Sequence, residues 1–115
     1  MTINEQINTG VSAIILSADT PESIVVPNWA TVTLDLNGFT LSGNGADHTI
    51  NNKGNLIIKD SSQNKTGVVR NDVLDRYAVH NDFGGTLTIN GGRFVKTQRG
   101  YTIHNWGSAV IINDI

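Results

Sequence analysis

A chain of 115 residues with 16% charged residues and a net charge of −2 is long enough for one small domain with its own core. It contains no run of lysine or arginine, which argues against nucleic acid and against a membrane as partners. Because cysteine is absent, disulfides and thiolate metal sites are excluded. The frequent valine, isoleucine, threonine, asparagine and glycine predict short strands joined by tight turns.

Residues 1–22 have no counterpart later in the chain. The first ten, MTINEQINTG, are polar and lack the basic and apolar regions of a signal peptide, so this N-terminus does not predict export. Residues 3–16 predict a short helix or strand that covers one open end of the structure built by the rest of the chain. We therefore interpret residues 1–22 as a capping segment together with an irregular first coil.

Residues 23–115 repeat one pattern four times. Each copy reads apolar, any residue, asparagine, a short turn, a small polar residue, and two apolar residues separated by one other. The copies span residues 26–34, 50–58, 79–89 and 103–111, and they start 24 to 29 residues apart. This period, without any helical pattern, is typical of the coils of a β-solenoid.

The alternation within each copy predicts which side chains fill the core, because residues two apart in a strand point to the same side. The predicted inward pairs are Val32 and Leu34, Leu56 and Ile58, Leu87 and Ile89, and Ala109 and Ile111. A third short strand is predicted in the coils at residues 39–41, 67–69 and 93–95. Three strands per coil indicate a roughly triangular cross-section around a single core.

Three strings carry a family resemblance: LDLNGFTLSG, INNKGNLIIKD and VHNDFGGTLTINGGRF. They resemble the repeats of the pectin-lyase-like superfamily, and the resemblance covers residues 11–115. It implies an all-β fold, a right-handed parallel β-helix of about four coils with three short strands each. The superfamily includes polysaccharide lyases, glycoside hydrolases, phage tailspikes and non-catalytic surface proteins, so the fold alone does not choose a function.

One asparagine occupies the same slot of every copy: Asn28, Asn52, Asn81 and Asn105. Asparagine tolerates the left-handed conformation of tight bends, and asparagines stacked at the strand spacing can hydrogen-bond amide to amide as a ladder. A ladder at such a bend is also what the resemblance implies. We therefore predict a structural role for these four residues.

The neighbouring slot holds His80 and His104, with Pro27 and Asn51 in the other two copies. It lies between an inward residue and the turn, so we expect the two imidazoles to face solvent. Two histidines about 5 Å apart could bind a metal. The column offers no third ligand, so the sequence predicts neither a metal nor another cofactor.

Two kinds of residue are candidates for contact with a ligand or partner. Trp29 and Trp106 follow the asparagines of the first and fourth copies, and an exposed tryptophan suggests a sugar or protein contact. The long excursion at residues 61–78 adds Arg70 and Arg76. It also carries Asp72 and Asp75, a weak alternative catalytic pair for acid/base hydrolysis. The expected use of such a charged excursion is a solvated loop, and no catalytic residue is predicted.

The last segment, SAVIINDI at residues 108–115, is predicted to be a core strand with Ile111 inward and no cap. We therefore expect one domain over residues 1–115 that either belongs to a longer chain or docks its last coil on a partner. The resemblance is strongest to phage fibre, tailspike and decoration proteins, and it implies a homotrimer.

The predicted function is a non-enzymatic structural component of a virion, assembled with itself and with other virion proteins such as capsid. It is also expected to display a surface to host glycans. Two alternatives stay open. One is a polysaccharide lyase or hydrolase. The other is an extracellular bacterial adhesin that binds glycan through Trp29 and Trp106.

Overall fold

The computed structural model describes residues 1–113, which form one short helix and twelve short strands. The helix is α1 (Ile3–Asn8). The strands are β1 (Ala13–Ile15), β2 (Ile24–Val26), β3 (Thr31–Asp35), β4 (Thr40–Leu41), β5 (Ile50–Asn52), β6 (Asn55–Lys59), β7 (Val68–Asn71), β8 (Val79–Asn81), β9 (Thr86–Ile89), β10 (Arg93–Lys96), β11 (Ile103–Asn105) and β12 (Ala109–Ile112). No helix in this part of the chain is long and apolar enough to cross a membrane.

The strands form three parallel sheets. Sheet A has the order β1-β3-β6-β9-β12, sheet B has β4-β7-β10, and sheet C has β2-β5-β8-β11. The chain visits A, then B, then C, and returns to A one strand further along, so each pass is one coil. The predicted fold, a parallel β-helix of about four coils, is confirmed.

The core is a stack of aliphatic side chains from sheet A and its neighbours. Val32 pairs with Leu56 and Leu34 with Ile58. The same two columns continue into β9 through Leu87 and Ile89. All of these side chains are buried, as the alternation predicts.

The last coil departs from the predicted register by one residue. Val110 pairs with Leu87 and Ile112 with Ile89, so the core columns continue through Val110 and Ile112 instead of Ala109 and Ile111. Ile111 is 46% exposed, and the expectation that it points inward is wrong. The cause is the turn before β12, which is one residue longer than the turn before β6. Residues 114 and 115 of this segment lie outside the described residues.

Helix α1 caps the first coil. Thr2 and Glu5 form a capping box, in which the Glu5 amide donates to Thr2 Oγ1 and the Thr2 amide donates to Glu5 Oε1. Ile3 and Ile7 are buried at the end of the core. The Glu22 carboxylate accepts hydrogen bonds from the first helical amides at 3.0 and 2.9 Å, which ties the cap to the coil beneath it.

Buried carboxylates organise the bends between sheets A and B. Asp60 Oδ1 accepts from the Gly38 amide, one coil away, and from the Ser62 amide, while Oδ2 accepts from the Gly67 amide at 2.7 Å. Burial acts to raise the pKa of Asp60, but the hydrogen bonds from Ser62 and Gly67 outweigh it and hold the pKa below its ordinary value. Asp60 is therefore a charged structural residue that fixes the start of the long excursion.

Candidate functional site

The asparagine ladder consists of three residues joined by two side-chain hydrogen bonds. Asn52 Nδ2 donates to Asn81 Oδ1 at 2.9 Å, and Asn81 Nδ2 donates to Asn105 Oδ1 at 3.0 Å. Asn28 is not part of it, because Val26 pairs with Asn52 and fills the ladder slot of the first coil. The assignment of Asn28 to the ladder is therefore wrong. Its side chain lies in the following turn and is exposed.

The histidine column also differs from its predicted form. His80 pairs with His104, but the earlier members are Asn51 and Val25, not Pro27. His80 is only 9% exposed, so the expectation that it faces solvent is wrong. The two imidazoles stack at 5.1 Å between centroids, and their Nδ1 atoms lie 3.1 Å apart. One of these nitrogens must donate and the other accept, so the contact favours a pair that is not doubly protonated.

A second column of rings lies beside the first, two residues before three of the four strands of sheet C, β5, β8 and β11. It consists of His48, Tyr77 and Tyr101. His48 stacks on Tyr77 at 4.6 Å, and the Tyr77 and Tyr101 centroids lie 5.8 Å apart. The sequence reasoning missed this column. Its signal was the fixed distance of each ring from the apolar residue that begins the strand.

The two columns interlock from one coil to the next. His48 stacks on His80 at 4.8 Å, and Tyr77 stacks on His104 at 4.7 Å. Trp106 completes the surface, with its ring 6.0 Å from His80 and 6.1 Å from His104. We call these six residues, His48, Tyr77, His80, Tyr101, His104 and Trp106, the aromatic face.

Rings stacked along the axis of the solenoid present their edges sideways, and their faces are free only at the end of the stack. That end lies in the last coil, where Tyr101 is 63% exposed and Trp106 is 71% exposed. Tyr101 and Trp106 are therefore the most exposed rings of the aromatic face, and aromatic side chains of this kind offer apolar contact area to a ligand. The predicted contact residue Trp106 belongs to this surface.

Trp29, the other predicted aromatic contact, lies away from the aromatic face. It borders a shallow cavity with Ile7 and Val11 of the capping region. Phe83, which the sequence reasoning did not select, is 87% exposed in the turn between β8 and β9. The structure therefore separates the two tryptophans that the sequence pattern had grouped.

His48 is held in one neutral form. The Tyr77 amide donates to His48 Nδ1 at 2.8 Å, which requires that this nitrogen carry no proton. Burial lowers the pKa of His48 to about 4, and the nearby His80 and Arg76 act in the same direction. Burial also lowers the pKa of His80, with His104 adding to the effect and Asp82 opposing it.

The carboxylates of the excursion are each engaged by a separate arginine. Arg70 Nε lies 2.9 Å from Asp72, and Arg99 Nη2 lies 3.0 Å from Asp75. A hydrogen bond from the Thr97 hydroxyl lowers the pKa of Asp72, and Arg99 does the same for Asp75. Both are thus ionised at neutral pH, which suits ion pairing and leaves no proton to donate.

A cleft of about 390 Å³ opens where the excursion meets the next coil, lined by Asp75, Tyr77, Arg99, Gly100 and Tyr101. The Asp75 amide donates to the Arg99 carbonyl at 2.7 Å, which joins the two loops. Gly100 has a φ of +146°, and a Cβ there would lie 3.0 Å from the Arg76 carbonyl oxygen. Only glycine allows this approach, which places Tyr101 beside Tyr77.

Arg76 lies at the edge of this region, where its guanidinium donates to the Asp75 carbonyl at 3.3 Å. Within residues 1–113, no group of three or more histidine or carboxylate side chains is placed to hold a metal ion.

Comparison with protein-family models, with curated proteins and with solved structures finds no significant match to this chain.

Proposed function

We propose that this protein is a non-enzymatic structural component of a fibre or spike, which presents a glycan-binding surface on a rigid β-helical scaffold. The observation that carries the proposal is the aromatic face, six rings assembled from three coils on the outside of sheet C. Aromatic side chains with a few polar groups are what small-molecule and sugar sites present. A rigid scaffold also lowers the ordering cost of binding.

The setting in a virion rests on the resemblance of the repeats to phage fibre, tailspike and decoration proteins. Under this proposal the partners are other copies of the chain, as a homotrimer, and further virion proteins such as capsid. The exposed apolar side chains of Phe83, Ile111 and Ile112 are consistent with such contacts, because surfaces of this kind favour association. Multi-angle light scattering tests the assembly, and a monomer at all concentrations would count against the fibre proposal.

The non-enzymatic part of the proposal is supported by the state of the two candidate carboxylates. An inverting or retaining glycosidase needs one protonated carboxyl group, whereas the pKa values of Asp72 and Asp75 are both lowered. The alternative is a polysaccharide lyase or hydrolase. Turnover of an acidic or neutral polysaccharide that disappears in Asp72→Asn or Asp75→Asn would overturn the proposal in favour of that alternative.

Glycan-array binding tests the aromatic face directly, with the wild-type chain, Trp106→Ala and Trp29→Ala compared at equal concentration. Trp29 is a matched control, since it is an exposed tryptophan outside the aromatic face. We expect Trp106→Ala to weaken binding at least about tenfold, as loss of a tryptophan anchor does at other interfaces. The Trp29→Ala chain should bind like the wild type. If the array shows no glycan binding, or if only Trp29→Ala reduces it, the assignment to the aromatic face fails.

A further inference from the structure

The cleft between Tyr77 and Tyr101 has an excess of positive charge. Arg99 lines it, Arg76 donates to the carbonyl of the lining residue Asp75, and the Lys96 side chain lies beside the lining residue Gly100. Asp75 is the carboxylate among the lining residues. Its pKa is lowered first by the Arg99 hydrogen bonds and further by the charges of Lys96 and Arg76, which places both cations within electrostatic reach. Within the lining Arg99 faces Asp75, and Arg76 and Lys96 add positive charge beside it, although Lys96 also acts on Asp72.

The cations near the cleft keep donors available. The ion pairs that arginine forms within residues 1–113 are Arg70–Asp72 and Arg99–Asp75, so Arg76 is in neither of them. Arg99 uses Nε and Nη2 for Asp75. A guanidinium has five N–H donors, so Nη1 and the second Nη2 hydrogen are left for a further acceptor. A ligand carboxylate matches these donors, because arginine binds carboxylates in a planar, charge-assisted geometry.

The walls of the cleft supply the apolar part of a sugar site. The Tyr77 and Tyr101 centroids are 5.8 Å apart with an interplanar angle of 51°, so the rings diverge. Tyr101 is exposed, whereas Tyr77 is half-buried and fixed by its stacks on His48 and His104. The cleft volume of about 390 Å³ is within the range of small-ligand sites. A pyranose ring can therefore lie on Tyr101 with its polar edge toward the cations.

We infer that the cleft formed by Tyr77, Tyr101, Arg99 and Arg76 binds a carboxylated pyranose, a uronic or sialic acid residue of a glycan. The inference rests on the proposed glycan-binding function and narrows it to one ligand class and one place. Tyr101 packs against the apolar side of the ring, and Arg99 and Arg76 bind the carboxylate. Asp75 competes with the ligand for Arg99.

Nuclear magnetic resonance titration with three simple glycosides tests the ligand class. Methyl β-D-glucuronide and methyl β-D-glucoside differ in the carboxylate alone, and the methyl glycoside of N-acetylneuraminic acid represents the sialic acids. We expect the glucuronide or the sialoside to bind at least about tenfold more tightly than the glucoside, because a hydrogen-bonded charge contributes this much. The shifted amides should centre on Gly100, and higher salt should weaken binding of the acidic sugars.

Amino-acid substitutions test where on the protein the acidic sugar binds. Arg99→Gln and Tyr101→Ala should each weaken binding of the acidic sugar by about tenfold, and Arg93→Gln, a cation outside the cleft, should not change it. Asp75→Asn should strengthen binding, since it removes the competing charge, and asparagine tolerates the left-handed backbone at this position (φ +58°). Thermal unfolding of each variant separates loss of binding from loss of folding.

The outcomes separate the two proposals. Equal binding of glucuronide and glucoside, or acidic-sugar binding that survives Arg99→Gln and Tyr101→Ala, overturns the inference and leaves the glycan-binding function standing. A glycan array without any binding overturns both. Weaker acidic-sugar binding in Asp75→Asn would also contradict the inference, because Asp75 would then contact the ligand instead of competing with it.

Discussion

Three histidines lie within the aromatic face, and their neighbours decide which of them can take up a proton. His48 accepts a hydrogen bond from the Tyr77 amide, so protonation of Nδ1 would break that bond. Burial and the charges of His80 and Arg76 add to this cost. His80 Nδ1 lies 3.1 Å from His104 Nδ1, and burial lowers the pKa of His80. Burial therefore opposes protonation of His48 and of His80, whose pKa values are both lowered.

We expect the free energy of unfolding to fall as pH drops from 6.5 towards 4. The pKa of His48 is about 4 in the folded chain and 6.5 in the unfolded one, so in this window the unfolded chain binds more protons. The stabilisation is present above pH 6.5 and is lost as pH falls towards the folded pKa. We expect a loss of about 2 kcal/mol, smaller than the full shift implies because the ring is partly exposed. Urea unfolding at several pH values measures it.

The control for this prediction is His48→Gln, whose side-chain oxygen can still accept from the Tyr77 amide. Its stability should depend less on pH between 6.5 and 4, with the remaining dependence due to His80, whose pKa is also lowered. Asp60 and Asp72 have lowered pKa values and lose their contribution at lower pH than the histidines do. An unchanged pH dependence in His48→Gln would contradict the assignment to His48.

At the scale of elements, the turn from sheet C to sheet A combines a buried amide with a glycine. Asn81 is fully buried, and its Nδ2 donates to the Gly85 carbonyl at 3.0 Å as well as to Asn105. A Cβ at Gly85 would collide with the Asn52 carbonyl and with Asn81 Oδ1. The ladder thus depends on a turn residue without a side chain, which explains why a glycine follows each ladder asparagine.

We expect Asn81→Ala to lower the free energy of unfolding by about 3 kcal/mol, since it leaves buried partners of the ladder without hydrogen bonds. The control is Asn28→Ala, which carries the same chemical change at an exposed site outside the ladder and should cost less than about 0.5 kcal/mol. Urea unfolding compares the two. Equal losses would mean that the ladder contributes no more than an exposed asparagine does.

The sequence predicts the middle coils better than the terminal ones. The pattern of apolar, any residue and asparagine marks β5 and β8 correctly, and the core columns from Val32 to Ile89 follow from it. The same pattern at residues 26–28 is a coincidence, because Val26 itself occupies the ladder slot. The turns between sheets C and A hold from two to four residues, so the repeat pattern misplaces the ladder slot before β3 and shifts the register at β12 by one residue.

The aromatic face was harder to predict for a different reason. The column mixes one histidine with two tyrosines, and the connections from sheet B to sheet C that contain these residues differ in length. The register of β5, β8 and β11 aligns the three positions, each two residues before the apolar residue that begins its strand. Residues at the end of irregular connections are aligned by backbone pairing, which a sequence pattern of alternating apolar residues does not encode.

For the whole molecule, burial is uneven along the axis. The first coil is covered by α1, and the middle coils are covered on both sides, so Ile58 is fully buried. In the last coil Ile112, which occupies the same column, is 64% exposed. In a solenoid each coil is stabilised by its own contacts and by its neighbours. Stability should therefore decrease from the middle towards β11 and β12.

Hydrogen exchange and a matched pair of substitutions test this gradient. We expect the amides of β11 and β12 to exchange first and those of β6 to exchange last, because β12 has no described strand on its outer side. Ile58→Ala should cost about 3 kcal/mol of unfolding free energy and Ile112→Ala less than about 1 kcal/mol, although both remove the same atoms from one column. If both variants lost the same stability, or if β12 were as protected as β6, the gradient would be contradicted and the last coil would be covered in solution. Protection of β12 that grows with protein concentration would identify the covering surface as a second copy of the chain.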